Sequence, residues 1–428
     1  MLLSTNLSKG KTMPSSVSTI CRRLLSQRRI PLVALLFVLC LLGSSFAQMN
    51  LVYVMSNTGL CPTCGPNHNS ILAFSNDGTG RLKAVTGSPF ATRGTGLYEP
   101  NPTPASLDLD EDNELVISPD GNFLFAANMH SNTIAAYNIN SDGTLTSVAG
   151  SPFASNGPQP ASLGLLWDSL PNNGSILVVA NKDQDPGQTQ TAPNFSTFTV
   201  SSTGVLTLNA AGTVPLAKGS APSNVLVNKK GSLMFGVQFL GAANSTSTLT
   251  AYRIKGDGSL SLDNQLTPPA PAHLFLGLAQ HPINSALYVG IPDGPEIGVY
   301  KFGITTGLLT FNSTAPNSGG LPCWLAINTA GTRLYTGDTG TNTIGVYDTS
   351  NSLSLVQLQE FTPSAGGNYP VTNVAIDPTG KFLYALTGNV LHVLTISATD
   401  GTLTETVTPR TLPLRAGTIA VGLATVTK

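Results

Sequence analysis

Mostly polar residues recur at one position of a repeated sequence pattern, five residues before the first turn of each repeat. These residues are Glu114, Asn224, Gly277, Trp324 and Asn373, and alignment of the last repeat adds Thr418. His273 and Arg415 lie slightly earlier in their repeats. A carboxylate, amides, an indole and cations at one level provide the convergent groups that a sugar-like ligand requires. We therefore interpret this level as a candidate binding or catalytic site.

Acidic residues crowd the segment before the second repeat. They are Asp108, Asp110, Glu111, Asp112 and Glu114. Alternating carboxylates suit Ca²⁺, so Asp108, Asp110 and Asp112 are candidate calcium ligands. Asn113 stands where an EF-hand loop has glycine, and a solvated acidic rim is the alternative interpretation.

Cys61 and Cys64 form a Cys-x-x-Cys motif in a predicted loop. The motif is not at the start of a helix, so a thioredoxin-like role lacks its usual context. Zinc would need two further ligands, of which His68 could supply one. A disulfide that staples the loop is the favoured interpretation for an exported protein. Cys323 is then predicted to be a buried thiol.

The elements that must position these residues follow from a repeat that runs through the chain. A Pro-Asp-Gly turn, a Leu-Tyr or Leu-Phe strand, a Thr-Ile-x-x-Tyr strand and an Asp-Gly-x-Leu turn recur in that order. The Asp-Gly turns are spaced by 45 to 65 residues, the period of four-stranded propeller blades. Gly, Thr, Ser, Asn and Pro predominate, as in all-β proteins. The sequence predicts an all-β protein with a single seven-bladed β-propeller.

The first repeat, near Leu51–Leu82, lacks its innermost strand. The pattern of that strand returns after the last complete repeat, at Thr418–Gly422. We therefore predict that the C-terminal strand completes the first blade and closes the ring, which removes the open sheet edges of a row of blades. The propeller would occupy residues 48–428. The central channel of a propeller offers an alternative explanation of the polar residues at one level of the repeats, because polar side chains also line a channel that is merely filled with water.

Residues 1–47 have the composition of a signal peptide. Basic residues precede a 13-residue apolar stretch, Ile30–Leu42, and Ser45-Phe46-Ala47 resembles a cleavage site. Twin-arginine export and an uncleaved anchor are the alternatives. Without this segment, 15 basic and 22 acidic residues give a net charge of −7. That balance argues against nucleic acid and anionic membranes, and we expect a secreted or periplasmic monomer.

The repeats resemble the seven-bladed lactonase family, which includes 6-phosphogluconolactonase and carboxymuconate-lactonizing enzymes. The resemblance rests on segments such as Ser118–Asn128, Asn132–Ile139 and Asp142–Leu145, and covers about residues 50–428. It also extends to propellers with Tyr-Val-Thr-Asn repeats. It implies an Arg-His pair entering an inner strand and an Asn-Glu pair ending the next strand. In the fifth blade the positions of the Arg-His pair hold Leu276 and Gly277, and the positions of the Asn-Glu pair hold Ile291 and Pro292.

Two functions follow. Because those positions carry no titratable group, the first is a binding or scaffold module that holds a glycan, a small polar ligand or a protein on the loop-rich face. The alternative is a divergent lactone hydrolase. In it Glu114 or His273 would activate water and Arg415 would stabilise the oxyanion, while Asn224, Trp324, Asn373 and Thr418 would bind the ligand.

Overall fold

The computed structural model describes residues 48–59, 68–97, 113–170, 174–183, 192–228, 230, 232–240, 246–415 and 418–428. The predicted signal peptide, Cys61, Cys64 and the candidate calcium ligands Asp108, Asp110 and Asp112 lie outside these residues. The described residues contain strands and turns and no helix, so none of them forms a helix that could cross a membrane.

The predicted repeats form seven antiparallel sheets. The first two contain β1 (Asn50–Met55), β2 (Ser70–Asn76), β3 (Leu82–Ala84) and β4 (Phe90–Ala91), then β5 (Leu115–Ile117), β6 (Phe123–Asn128), β7 (Thr133–Ile139), β8 (Leu145–Ser147) and β9 (Phe153–Ala154). The third and fourth contain β10 (Pro160–Leu170), β11 (Gly174–Asn181), β12 (Asn194–Val200) and β13 (Leu206–Pro215), then β14 (Ala221–Val227), β15 (Leu233–Leu240), β16 (Thr248–Ile254) and β17 (Leu260–Leu266).

The remaining blades follow the same order. They contain β18 (Leu276–Gln280), β19 (Ala286–Ile291), β20 (Glu296–Phe302) and β21 (Leu309–Pro316), then β22 (Pro322–Ile327), β23 (Arg333–Asp338), β24 (Thr343–Asp348) and β25 (Val356–Phe361). The seventh contains β26 (Asn373–Ile376), β27 (Phe382–Leu386), β28 (Val390–Ile396), β29 (Leu403–Thr404) and β30 (Arg410–Thr411). The last strand is β31 (Val421–Thr427).

Each blade is a meander whose strands we call a to d from the channel outward. In blades one, two and seven strand d is split, so that β4, β9 and β30 each pair with strand c beside the first half. The middle strands are buried on both faces: all six residues of β6 are buried, as are all six of β19. Continuous burial is expected for strands covered by neighbouring sheets on both sides.

The C-terminal strand closes the ring as predicted. β31 pairs antiparallel with β1, with Asn50 opposite Thr427 and Tyr53 opposite Ala424. The first sheet therefore takes its innermost strand from the other end of the chain. The strand lies about three residues later than the predicted Thr418–Gly422. The amide of Thr418 bonds the carbonyl of Arg415, and that of Ala420 bonds the carbonyl of Gly388.

Tyrosines of strand b join neighbouring blades. The hydroxyl of Tyr53 donates to the carbonyl of Gly143 at 2.9 Å, and that of Tyr335 donates to the carbonyl of Gly401 at 2.9 Å. Both acceptors lie in the Asp-Gly turn of the next blade. Burial, the largest influence, raises the pKa of Tyr335 to about 12. These hydroxyls therefore stay protonated and can donate. The strand-b tyrosine of one blade thus contacts the Asp-Gly turn of the next blade.

Blade six places a buried carboxyl group close to a partly buried one. Asp338 ends β23 and has no exposed surface, and Glu360 lies on β25 two strands away. A methyl group on Gly319 would lie 2.6 Å from Asp338 Oδ2 and 2.7 Å from Glu360 Oε1, so both carboxyls meet over this glycine. Burial and then the charge of Glu360 raise the pKa of Asp338 well above its usual range.

Removing residues 421–428 should open the ring. Burial of Val421 and Leu423 alone contributes about 3 to 6 kcal/mol, and the edge of β1 would lose its partner. We expect a loss of soluble folded protein or a large fall in Tm, measured by circular dichroism. A peptide spanning residues 418–428 should restore part of the lost stability. The substitution Thr427→Ala is the control and should leave Tm nearly unchanged. A truncated chain as stable as the full chain would show that β31 does not hold the ring together.

Glu360→Gln should stabilise the fold at neutral and alkaline pH. The pKa of Asp338 is higher in the folded state than in the unfolded state, so stability declines as pH rises from about 4 through the folded pKa. A neutral amide removes the repulsion and should flatten this decline. Tm measured against pH tests the expectation, with Glu296→Gln as control. Parallel pH profiles for Glu360→Gln and the wild type would contradict it.

Candidate functional site

The candidate site lies near the N-terminal ends of the strands a. Most of these strands have a β-bulge at this point. The pairing of strand a with strand b shifts register between Pro160 and Ser162, and between Pro222 and Asn224. The same shift occurs between Leu276 and Leu278, and between Pro322 and Trp324. A bulge bends its strand and re-aims the side chain at that point. Repetition of the bulge therefore forms a ring of similarly placed residues around the channel.

Glu114 and Asn373 lie together in this ring. Asn373 Nδ2 donates to Glu114 Oε2 at 3.3 Å, although 259 positions separate the two residues. Glu114 has no exposed surface and Asn373 is 4% exposed. The carbonyl of Glu114 accepts from the amide of Ala127, which continues the pairing of β5 with β6. The structure thus places a buried carboxylate of blade two against an amide of blade seven.

Gly422 packs against Glu114 beside this contact. It lies on β31, the strand a of blade one, which stands between blades seven and two. Its φ is +75°, and a methyl group there would lie 3.3 Å from Glu114 Cβ and 3.5 Å from Glu114 Oε2. Thr418 lies before β31 and is 7% exposed. Gly422 therefore takes the position beside Glu114 in the first blade.

Asn224 and Ser162 continue the ring on blades four and three. Neither amide atom of Asn224 has a hydrogen-bond partner within the described part of the chain, and the residue has no exposed surface. Ser162 Oγ accepts from the amide of Val225 at 3.0 Å. A buried amide without partners costs about 1 to 3 kcal/mol. A polar ligand or water that reaches Asn224 would recover this energy.

Asn373 connects the ring to open space. It lines a cavity of about 920 Å³ that follows the strands a of blades two, six, seven and one. The cavity reaches Ser118, Asp377 and Thr427 near the a–b turns. Strands a of four blades line it, as expected for the predicted central channel. Glu114 does not line the cavity itself, and its contact with the lining is the hydrogen bond from Asn373.

The other predicted site residues have different surroundings. The side chain of His273 is 71% exposed, and its Nδ1 lies 3.5 Å from Asp293 Oδ2. Arg415 donates from Nη2 to the carbonyl of Gly59 at 3.2 Å. Trp324 is 3% exposed and belongs to the hydrophobic core between blades. Of the predicted residues, Glu114 and Asn373 contact each other, whereas His273 and Arg415 contact other partners.

Sequence reasoning missed Ser162 and Lys182. Lys182 follows β11, has no exposed surface, and bonds through its amide to the carbonyl of Gln159. Its position in a predicted strand-to-loop junction gives no signal in the sequence. Ser162 carried a usable signal, because a proline two residues before the ring position occurs at Pro160, Pro222 and Pro322.

Cys323 is a buried thiol, as predicted. It is 4% exposed, and its Sγ donates to the carbonyl of Leu321 at 3.1 Å. Among the described residues no three His, Cys, Asp or Glu side chains are arranged to hold a metal ion. The disulfide and calcium predictions concern residues outside this part of the chain. They remain predictions.

A hydrogen-bonded chain of side chains lies in blade seven. His392, fully buried, contacts Thr387 Oγ1 at 2.9 Å through Nε2 and Glu405 Oε1 at 2.7 Å through Nδ1. Burial acts to raise the pKa of Glu405, but hydrogen bonds from His392 and Ser364 outweigh it, and the net shift is downward. A methyl group on Gly367 would lie 2.2 Å from Thr387 Oγ1. Gly367 covers this hydroxyl. We therefore interpret the hydrogen-bonded side chains as stabilising the fold rather than as forming a functional site.

Comparisons with known proteins agree with the fold and the sequence pattern. Residues 97–189 match the family described as lactonase, 7-bladed beta-propeller. The segment includes Glu114, Ser162 and Lys182. No curated protein matches the sequence.

Solved structures share the whole propeller. A periplasmic gluconolactonase of Pseudomonas aeruginosa superposes with a TM-score of 0.65 at 16% identity, covering 89% of this chain and 99% of its own. A putative 6-phosphogluconolactonase of Bacteroides fragilis gives 0.62 at 14%, covering 90% and 99%. A Lactobacillus plantarum protein gives 0.65 at 15%, covering 89% and 99%. At these identities the likeness is one of fold.

The family match falls on the second blade and the inner strands of the third, within a propeller that has seven blades throughout. The resemblance predicted from the repeats is thereby confirmed for this segment: the protein is a seven-bladed β-propeller, and its residues 97–189 are similar to the lactonase family.

Proposed function

We propose that the protein hydrolyses a sugar-type lactone at the ring of strand-a residues. One observation carries the proposal: the buried carboxylate of Glu114 is held by Asn373, which lines the channel cavity. Glu114 also lies in the segment that matches the lactonase family. The similar propellers include a gluconolactonase and a putative 6-phosphogluconolactonase, which supports this substrate class.

Glu114 would act as the general base. Its carboxylate takes a proton from water while the water oxygen bonds to the lactone carbonyl carbon. The ring C–O bond then breaks, and the proton passes to the ring oxygen, so that lactone and water give one hydroxy acid. Asn373 orients the carboxylate, because its amide donates to Oε2. Asn224, with both amide atoms buried and without partners in the described part of the chain, would pair with substrate hydroxyls.

We also propose that the protein works outside the cytoplasm. The predicted signal peptide in residues 1–47 supports this location, and so does the fold shared with a periplasmic gluconolactonase. A lactone in that compartment would be an unphosphorylated sugar lactone. The binding or scaffold function is the reading that remains if the protein does not hydrolyse lactones.

Glu114→Gln should lower the rate of lactone hydrolysis by about 100-fold or more, since a positioned general base contributes about 10²- to 10⁴-fold. The assay is pH-stat titration of acid released from glucono-1,5-lactone and galactono-1,4-lactone. Glu296→Gln is the control, because Glu296 lies on strand c of blade five and accepts from Thr314. Wild-type rates at the spontaneous level, or full activity of Glu114→Gln, would contradict the proposal.

Gly422→Ala should lower hydrolysis more than Gly78→Ala does. Both glycines have a positive φ, +75° and +86°, so an alanine costs about 1 to 2 kcal/mol at either. Only at Gly422 would the new methyl group contact Glu114, since nothing lies within 4 Å at Gly78. Gly78 also lies outside the channel cavity. We expect similar losses of Tm and a fall in kcat confined to Gly422→Ala. Equal kcat values for the two variants would show that Gly422 does not support the site.

A further inference from the structure

A groove of about 820 Å³ lies on the outer side of the seam between blades seven and one. One wall is the turn between β2 and β3, and the other is the segment that connects β29 with β30. The floor includes Val393 of β28. Its polar lining consists of Asp77, Thr79, Arg81, Thr406, Thr408 and Arg410. None of these residues belongs to the channel site.

Arg410 crosses the seam without filling its hydrogen-bonding capacity. Its Nη1 donates to the carbonyl of Leu82 at 3.2 Å, and its guanidinium lies 4.7 Å from the ring centre of Phe74. Its Nε is buried and has no partner within the described residues. A guanidinium has five N–H donors, and the hydrogen bonds within the described residues use one of them.

Other seam arginines are saturated. Arg253 donates to the carbonyls of Ile304 and Thr305 and pairs with Asp263 at 2.9 Å. Arg333 donates to the carbonyls of Thr332 and Asp400 and pairs with Asp348 at 3.2 Å. Each guanidinium there has a carboxylate and two backbone acceptors. Arg410 has one backbone acceptor and no carboxylate at ion-pair distance among the described residues.

Arg81 adds a second guanidinium. It is exposed, and no carboxylate of the described residues lies at ion-pair distance from it. The nearby Asp77 uses Oδ1 to accept from the amide and the hydroxyl of Thr79, at 2.8 and 2.6 Å. The side-chain and backbone bonds from Thr79 lower the pKa of Asp77, so this carboxylate stays ionised. Two cations and one anion leave the groove with a net positive charge.

We propose that the seam groove binds the oxyanion of a small hydroxylated molecule, a sugar acid or a sugar phosphate. Arg81 and Arg410 hold the oxyanion, because the planar guanidinium matches carboxylate and phosphate geometry. Thr406, Thr408 and Oδ2 of Asp77 bond the hydroxyl groups. The site lies apart from Glu114 and stands independently of lactone hydrolysis.

The test is isothermal calorimetry of the full chain with gluconate, glucose 6-phosphate and neutral glucose. We expect binding of at least one of the two anions, weakened by salt, and no binding of glucose. Arg81→Gln should weaken it about tenfold, as loss of a charge-assisted hydrogen bond predicts. Lys83→Gln is the matched control, since Lys83 is an exposed cation two residues away that does not line the groove.

The gluconate and glucose 6-phosphate arms decide which oxyanion the groove takes. Glu114→Gln should bind the anion with unchanged affinity, and Arg81→Gln should retain any lactone hydrolysis, so failure of one site is distinguishable from failure of the other. Arg410→Lys, which retains a cation at the seam, should also weaken binding. Three results would overturn the proposal: no binding of either anion, equal affinity for glucose, or equal affinity in Arg81→Gln and Lys83→Gln.

Discussion

Pairing of β31 with β1 is the interaction on which the rest of the molecule depends. It converts a row of sheets into a ring, and the ring brings the strands a of all seven blades to one channel. The Glu114–Asn373 contact depends on this closure directly, because the two residues belong to blades on either side of blade one. The strand between them is β31 itself. Gly422 lies beside the contact, since a methyl group there would lie 3.3 Å from Glu114 Cβ.

The overall fold could be predicted because its signals are local. The Asp-Gly turn recurs along the chain, and tyrosines of strand b contact this turn across the seams that follow blades one and six. The bounds of the closing strand were less predictable. Thr418 and Ile419 continue the alternation of a strand, but the backbone there bonds to Arg415 and Gly388 before the pairing with β1 begins.

The candidate site could be predicted in part. Counting back from the turns placed Glu114 and Asn373 at one level, but no local pattern shows which residues of a ring contact each other across a closed channel. Ser162 was missed because β10 has 11 residues, so counting from its turn at Gly174 does not reach the ring. His273 lies a few residues before the ring position in sequence, and its exposed side chain lies near Asp293 instead of the ring. The bulges re-aim side chains within strands a, and they arise from strand pairing rather than from composition.

The most direct test of the account is a crystal structure of the protein soaked with an aldonolactam, a lactone analogue whose amide resists hydrolysis. The account predicts the lactam in the channel, with its carbonyl carbon facing a water held by Glu114 and its hydroxyls bonded to Asn224. A lactam bound at the outer loops, or a channel that stays empty at a concentration that inhibits hydrolysis, would contradict it.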